Sequence, residues 1–256
     1  MKKLTLVELS NKAHKDFKIK NNAVIDHIAK QHLMNLRATE LGQAATCYPV
    51  FATKNTHNGF WTFSAMTSFT PNENLFVKND KFDVIYRPTS IQTFPFYLMQ
   101  APSEGNTYTI GILEDQGDFS KTTGEPLFDE KSSPTEGTKR RAQLLDADVQ
   151  KDIQTAQFSK ALDDLGLFKP LDMNVQLADG NSKKIRGLHT IDEDRFQILS
   201  IEELDSLRQQ GYLMPIHAML ISLLQVNKLI TLNNQDVERA PIVEVKMEVA
   251  KDAVIS

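Results

Sequence analysis

Six histidines, one cysteine and the carboxylates of a loop string at Gly124 to Glu130 are the residues from which this chain could build chemistry. The histidines are His14, His27, His32, His57, His189 and His217. His27 and His32 miss the i, i+4 spacing that aims two imidazoles at one metal from a helix. His189 and Asp192 stand at odd spacing, which on a strand sends their side chains to opposite faces. An iron site of two histidines and one carboxylate has to be assembled from distant residues, and His14, His32 and Glu40 are the set that offers one. Histidines that pack or lie on the surface are commoner, so no metal and no cofactor are expected. Cys47, as the single cysteine, excludes an intramolecular disulfide and a multi-cysteine metal site. Between Thr46 and Tyr48-Pro49-Val50-Phe51 it reads as a small buried residue at a strand edge.

The strongest functional candidate is the string Gly124 to Glu130. Pro126 pre-sets the backbone, Leu127 and Phe128 are apolar in a polar stretch, and Glu125, Asp129 and Glu130 flank them. One reading is a clamp over a ligand or partner, its carboxylates fixing a cation or an amine. The other is a plug, in which Leu127 and Phe128 pin the loop to a core. An apolar pair in a polar loop usually finds a core satellite, which favours the plug. Trp61, with Phe63, Phe69, Phe94, Phe96 and Tyr97, offers an aromatic groove for a peptide, against the commoner role of aromatics in sheet cores. No phosphate loop, His-Glu-x-x-His helix, nucleophile elbow or EF-hand loop occurs.

The elements that must position these residues follow from pattern. A net charge of −4 argues against a nucleic-acid or anionic-lipid footprint. The one tight basic cluster, Lys139-Arg140-Arg141, fits the first turns of a helix. Met1-Lys2-Lys3 lacks the apolar run of a signal peptide, and no run reaches the ~18 apolar residues of a membrane span, so a cytoplasmic location is expected. Short strands are expected through Leu4, Leu6 and Val7, and at Phe17 and Ile19. Ala23 to Ala45 reads as mostly helical. Tyr48–Thr53 and Phe60–Phe69, joined through Asn58-Gly59, read as a hairpin. Leu75–Val77, Phe82–Tyr86, Phe94–Met99 and Thr107–Leu113 add strands. Asp115 to Gly137 is loop-like, and Thr138 to Leu167 is helical with its stripe shifting near Ala156.

The C-terminal third is the best defined. Leu171, Met173, Val175 and Leu177 alternate with polar residues, and Asp179-Gly180 suits a two-residue turn. Ile185, Gly187, His189 and Ile191 are expected on one face of the return strand. Ser200-Ile201-Glu202-Glu203 forms a capping box, followed by an inner stripe of Ile201, Leu204 and Leu207 and a left-handed stop at Gly211. Ile216, Met219, Leu220, Leu223, Val226 and Ile230 form the buried stripe of a long helix, with Ile221, Leu224 and Leu229 outside it. Ile242–Val249 alternates as a strand.

These residues together resemble the SapC family of bacterial proteins. The resemblance runs from Leu4 to about Ile230 and includes Tyr48-Pro49-Val50-Phe51, Glu73-Asn74-Leu75-Phe76, Pro95-Phe96, Leu177-Ala178-Asp179-Gly180, Ile191-Asp192-Glu193 and Gly211-Tyr212-Leu213. Its most specific part is Gly124-Glu125-Pro126-Leu127-Phe128-Asp129. The family name comes from a surface-layer association, and other members resemble genes beside flavin-dependent tryptophan halogenases. The resemblance supplies no catalytic residues. His189 stands where tyrosine is common, and the chain extends beyond the family pattern after Ile230.

The expected fold class is α+β: a β-rich half at 1–114, a crossing loop at 115–137, a helix–hairpin–helix unit at 138–232 and an extension at 233–256. The expected function is that of a soluble, non-enzymatic accessory protein binding a protein or peptide partner, beside a halogenase as the resemblance implies, with homo-oligomerisation as a further option. The alternatives are a surface-layer component and a non-haem iron or other small-molecule enzyme.

Overall fold

A computed structural model describes residues 5–56, 58–101 and 108–250. Leu4, His57, Pro102, Gly105 and Thr107, which the sequence reading uses, lie outside the described residues. In chain order the strands are β1 (Val7–Glu8), β2 (Lys18–Ile19), β3 (Leu33–Leu36), β4 (Val50–Lys54), β5 (Trp61–Met66), β6 (Val77–Lys78), β7 (Lys81–Phe82), β8 (Phe96–Gln100), β9 (Tyr108–Ile112), β10 (Phe119–Ser120), β11 (Glu125–Pro126), β12 (Phe168–Leu177), β13 (Ser182–Ile191) and β14 (Ile242–Val249). The helices are α1 (Ala23–Ala29), α2 (Leu41–Ala44), α3 (Thr89–Thr93), α4 (Glu136–Asp164), α5 (Glu193–Gln197), α6 (Ile201–Gln209), α7 (Leu213–Ser222) and α8 (Val226–Asn234). Helices and antiparallel sheets together make the chain α+β.

The chain forms two compact units, each from two separate segments: Met1–Ile28 with Thr89–Gln150, and Ala29–Pro88 with Lys151–Ser256. The first unit holds the sheets β1-β9-β8 and β10-β2-β11. Its core comprises Ile19, Ala23, Phe94, Phe96, Ile112, Leu127, Phe128 and Leu145. The second unit holds a six-stranded sheet in the order β14-β12-β13-β4-β5-β3. Pairing of β13 with β4 at His189 and Ala52 joins the C-terminal hairpin to the aromatic hairpin β4/β5. Phe51, Met66, Met173, Val175, Leu188, Val226 and Leu229 share one core there, so sheet and final helices close a single interior. The Ser222 hydroxyl ties α7 to this sheet: it accepts from Val50 N–H at 3.0 Å and donates to Met219 O at 2.6 Å.

Several expectations need correction, each for a physical reason. Ala23–Ala45 is not mostly helical, because Leu33–Leu36 forms edge strand β3 against β5. The i, i+3 spacing of Leu33 and Leu36 reads as helical, but tertiary pairing makes a strand in which Met34 and Leu36 share the buried face. The turn at Asp179-Gly180 has three loop residues. Leu177 N–H donates to Asn181 O, Gly180 N–H donates to Leu177 O, and Gly180 has φ 86°, the arrangement of a tight turn closed by a left-handed glycine. Gly187 also has positive φ, and a bulge there sets Asp172 opposite two residues. The extra residue flips the side-chain alternation, so Leu188 joins Ile185 on the core face.

The capping box forms as expected, with Ser200 Oγ accepting from Glu203 N–H and Glu203 accepting from Ser200 N–H. Gly211 ends α6 with φ 75°. Of the expected inner stripe only Leu207 is buried, while Ile201 and Leu204 face solvent. The long helix is interrupted by a tighter turn at Leu223–Gln225, and Leu229, expected outside the stripe, is fully buried. By length and composition alone Leu213–Asn234 is apolar enough to cross a membrane. Its residues Val226, Leu229 and Leu232 nevertheless belong to the core. The shift of face along α4 arises because Leu145 serves the first unit's core, whereas Phe158 and Leu162 are buried in the second.

Candidate functional site

The Gly124–Glu130 string is held from every side. Gly124 has φ 121°, and a Cβ there would lie 2.1 Å from Ile19 O, so only glycine lets β11 approach β2. Leu127 N–H donates to Phe17 O, and Leu127 O accepts from Thr135 N–H and from the Thr138 hydroxyl at 2.9 Å. Leu127 is fully buried and Phe128 nearly so. Glu125 receives both arms of the Arg141 guanidinium, at 3.0 and 2.9 Å. Asp129 Oδ1 accepts from Lys131 N–H at 2.9 Å and from Ser133 N–H at 2.8 Å, closing its own turn. Of the carboxylates meant for a clamp, Glu125 is engaged by Arg141 of α4 and Asp129 by its own turn, Glu130 is exposed, and the apolar pair is core. This geometry matches the plug.

His14, His32 and Glu40 do not assemble. Among the described residues, no group of three His, Cys, Asp or Glu comes together in a way that could hold a metal. His14 is buried; its Nδ1 accepts from Ser10 N–H at 2.9 Å, so Nε2 carries the proton and donates to Glu114. Both of its ring nitrogens are occupied. Glu40, also buried, accepts from Arg37 N–H at 2.8 Å and from the Tyr86 hydroxyl. Burial, reinforced by that bond to Glu40, pushes the Tyr86 phenol far up. His32 belongs to the second unit, and burial lowers its pKa.

Trp61 is half-buried and stacks on Phe168 at 3.8 Å, with His189 edge-on at 4.8 Å and Lys54 Nζ 5.0 Å from the ring centre. Burial holds the His189 imidazole below its ordinary pKa, and the nearby Lys54 adds to this. Phe63, Phe69, Phe94 and Phe96 are buried. Phe94, Phe96 and Tyr97 belong to the first unit, and Trp61, Phe63 and Phe69 to the second.

A groove that the sequence did not reveal lies in the second unit, between the β6/β7 ribbon and helix α8. Its volume is about 760 Å³, within the range of small-ligand and peptide sites. Leu75, Phe76 and Leu232 supply its apolar floor. Lys78, Lys81 and Lys228, all exposed, supply cations around it, opposed by Asp83. Exposed Ile85 and half-buried Cys47 complete the rim, Cys47 lying in the turn before β4 rather than on a strand.

Local sequence explains the scaffold. Asn79 and Asp80 both take left-handed φ, at 50° and 57°, closing the two-residue turn that presents Lys78 and Lys81. Asn74 Oδ1 accepts from Phe76 N–H at 3.0 Å, and Tyr48 meets the Phe76 ring edge-on at 5.0 Å. The Tyr48 hydroxyl donates to Tyr86 O at 2.8 Å, while burial and the neighbouring Cys47 raise its pKa well above the usual phenol range. On the far wall Gln225 donates to Thr46 O at 3.3 Å. The chemistry offered is ammonium charge and apolar carbon, which are groups of recognition.

The class defined is an α+β chain carrying an open, lysine-rimmed groove on an antiparallel sheet scaffold. Residues 9–229 match the family model described as SapC, and the chain belongs to the SapC family. No curated protein and no solved structure matches it.

Proposed function

We propose that this protein is a non-enzymatic binding protein whose groove takes an acidic segment of a protein partner, anchored by an apolar side chain. The observation that carries the reading is the meeting of Lys78, Lys81 and Lys228 around Leu75, Phe76 and Leu232 on a chain of net charge −4. Among the lining residues three cations face one carboxylate, with Asp236 beside Lys78 offsetting part of that charge, and the net positive field selects an acidic partner and speeds its encounter. The apolar floor favours a peptide over a nucleic-acid backbone, because phosphates gain nothing from leucine and phenylalanine. An accessory role beside a larger enzyme, as the family resemblance implies, is consistent with such a site.

The test is fluorescence anisotropy with a labelled peptide of aspartates flanking a central leucine. Binding should weaken with salt and fall about tenfold or more in Lys78→Glu/Lys228→Glu. A lysine-flanked peptide and a single-stranded oligonucleotide should bind more weakly. Equal binding of all three probes, or no response to the charge reversal, would refute the proposal.

A further inference from the structure

β14 is an outer strand of the six-stranded sheet, and among the described residues its only strand neighbour is β12. An outer strand exposes a row of backbone donors and acceptors, and proteins commonly blunt such edges. Here, among the described residues, the proline and the bulge lie at one end. Pro241 precedes the strand, and the register shifts where Leu177 meets Ile242, leaving Val243 as an extra residue. From Glu244 to Val249 the pairing with β12 is regular, and Ala250 N–H continues it by donating to Pro170 O. That bond fixes the parity: Glu244, Lys246 and Glu248 aim their backbone groups at β12, so Val245, Met247 and Val249 aim theirs outward.

We infer that this edge pairs with the same edge of a second copy of the chain, antiparallel about a two-fold axis at Met247, joining two six-stranded sheets. Charge complementarity supports this partner and this register. With Met247 opposite its own copy, Lys246 of each chain faces Glu248 of the other, giving two opposite-charge cross-strand pairs on the solvent face. On the other face Val245 meets Val249, and Met247 meets Met247. Met247 and Val249 are 38% and 50% exposed in the single chain, more than their places opposite buried Met173 and Leu171 would suggest. The outward groups at Val245, Met247 and Val249 are symmetric about that axis, so each finds a partner. Within one chain Lys246 reaches Glu244 at 3.3 Å and Glu248 accepts from the Asn174 amide at 3.5 Å, both at exposed side chains open to a second partner. The strand lies beyond residues 9–229 that match the family, so this surface is not one that family membership supplies. It is separate from the lysine-rimmed groove.

Sedimentation of the full chain over a wide concentration range should reveal a species of twice 28.9 kDa. Lys246→Glu sets glutamate against Glu248 twice and should raise the dimer dissociation constant about tenfold or more. The swap Lys246→Glu/Glu248→Lys restores both pairs only in the Met247 register, and should restore the dimer. Amides of Val245, Met247 and Val249 should gain hydrogen-exchange protection as concentration rises, with circular dichroism unchanged across the variants. A chain monomeric at every concentration, a dimer indifferent to Lys246→Glu, or a monomer that instead takes an extended peptide on this edge would overturn the inference.

Discussion

Leu127→Ala separates the plug from the clamp. Leu127 is fully buried in the first unit beside Ile19, Phe94, Phe96 and Ile112. Its truncation loses the transfer energy of the removed carbons and leaves a cavity, together about 3 kcal/mol within a range of about 2–5. Relaxation is limited, because Phe17, Thr135 and Thr138 all bond the Leu127 backbone and hold the loop in place. A loss of about 3 kcal/mol corresponds to a rise of about 150-fold in the open population. The assay is hydrogen exchange of the Leu127 and Thr135 amides, paired with urea unfolding. Both should report the loss, and Glu130→Ala at an exposed site should stay within about 0.5 kcal/mol of wild type. Unchanged exchange in Leu127→Ala would show that the side chain does not support this core, and the plug assignment would be wrong.

Three further outcomes follow from single contacts. Ser222→Ala leaves the buried Val50 N–H without its acceptor and should cost about 1–3 kcal/mol by urea unfolding. Gly124→Ala drives a methyl into the Ile19 carbonyl and should disrupt β2/β11 pairing, seen as loss of cooperative unfolding or of soluble expression; a wild-type melt would contradict the geometry. His189 has a folded pKa below its unfolded value near 6.5, so the unfolded chain takes up a proton that the folded one declines. The stability that depends on its neutral form is present above about pH 6.5 and is lost as pH falls toward the folded pKa. His189→Gln should flatten that part of the acid dependence, and an imidazole midpoint at or above 6.5 by NMR would contradict the assignment.

Much of the fold was legible where short-range physics settles it. The Ser200 capping box, the left-handed Gly211, the alternation of β12 and the strand at Ile242–Val249 all follow from local spacing. What was hidden depends on partners distant in sequence. Leu33 and Leu36 keep the i, i+3 spacing of a helix, and only Met66 and Phe63 across from them make the segment a strand. The bulge at Gly187 reversed the expected faces of β13, and its one signal was a glycine inside a strand pattern. Ile201 and Leu204 stayed exposed because the helical period describes a stripe without saying what covers it.

The candidate site was the least legible part. In the most specific string, Gly124–Asp129, the glycine, the two carboxylates and the apolar pair each make contacts within the first unit. Lys78, Lys81 and Lys228 come from two separate stretches and form no cluster in sequence. The one hint was Asn79-Asp80, a turn between two lysines beside the family string Glu73-Asn74-Leu75-Phe76.

The most direct test of the binding account is an NMR titration of the full chain with the acidic leucine peptide, read at backbone amides. The account predicts saturable shifts centred on Leu75, Phe76, Lys78, Lys81 and Lys228, lost in Lys78→Glu/Lys228→Glu while the remaining spectrum is preserved. Shifts centred on Glu125–Asp129 or around Trp61, or none at any peptide concentration, would contradict it.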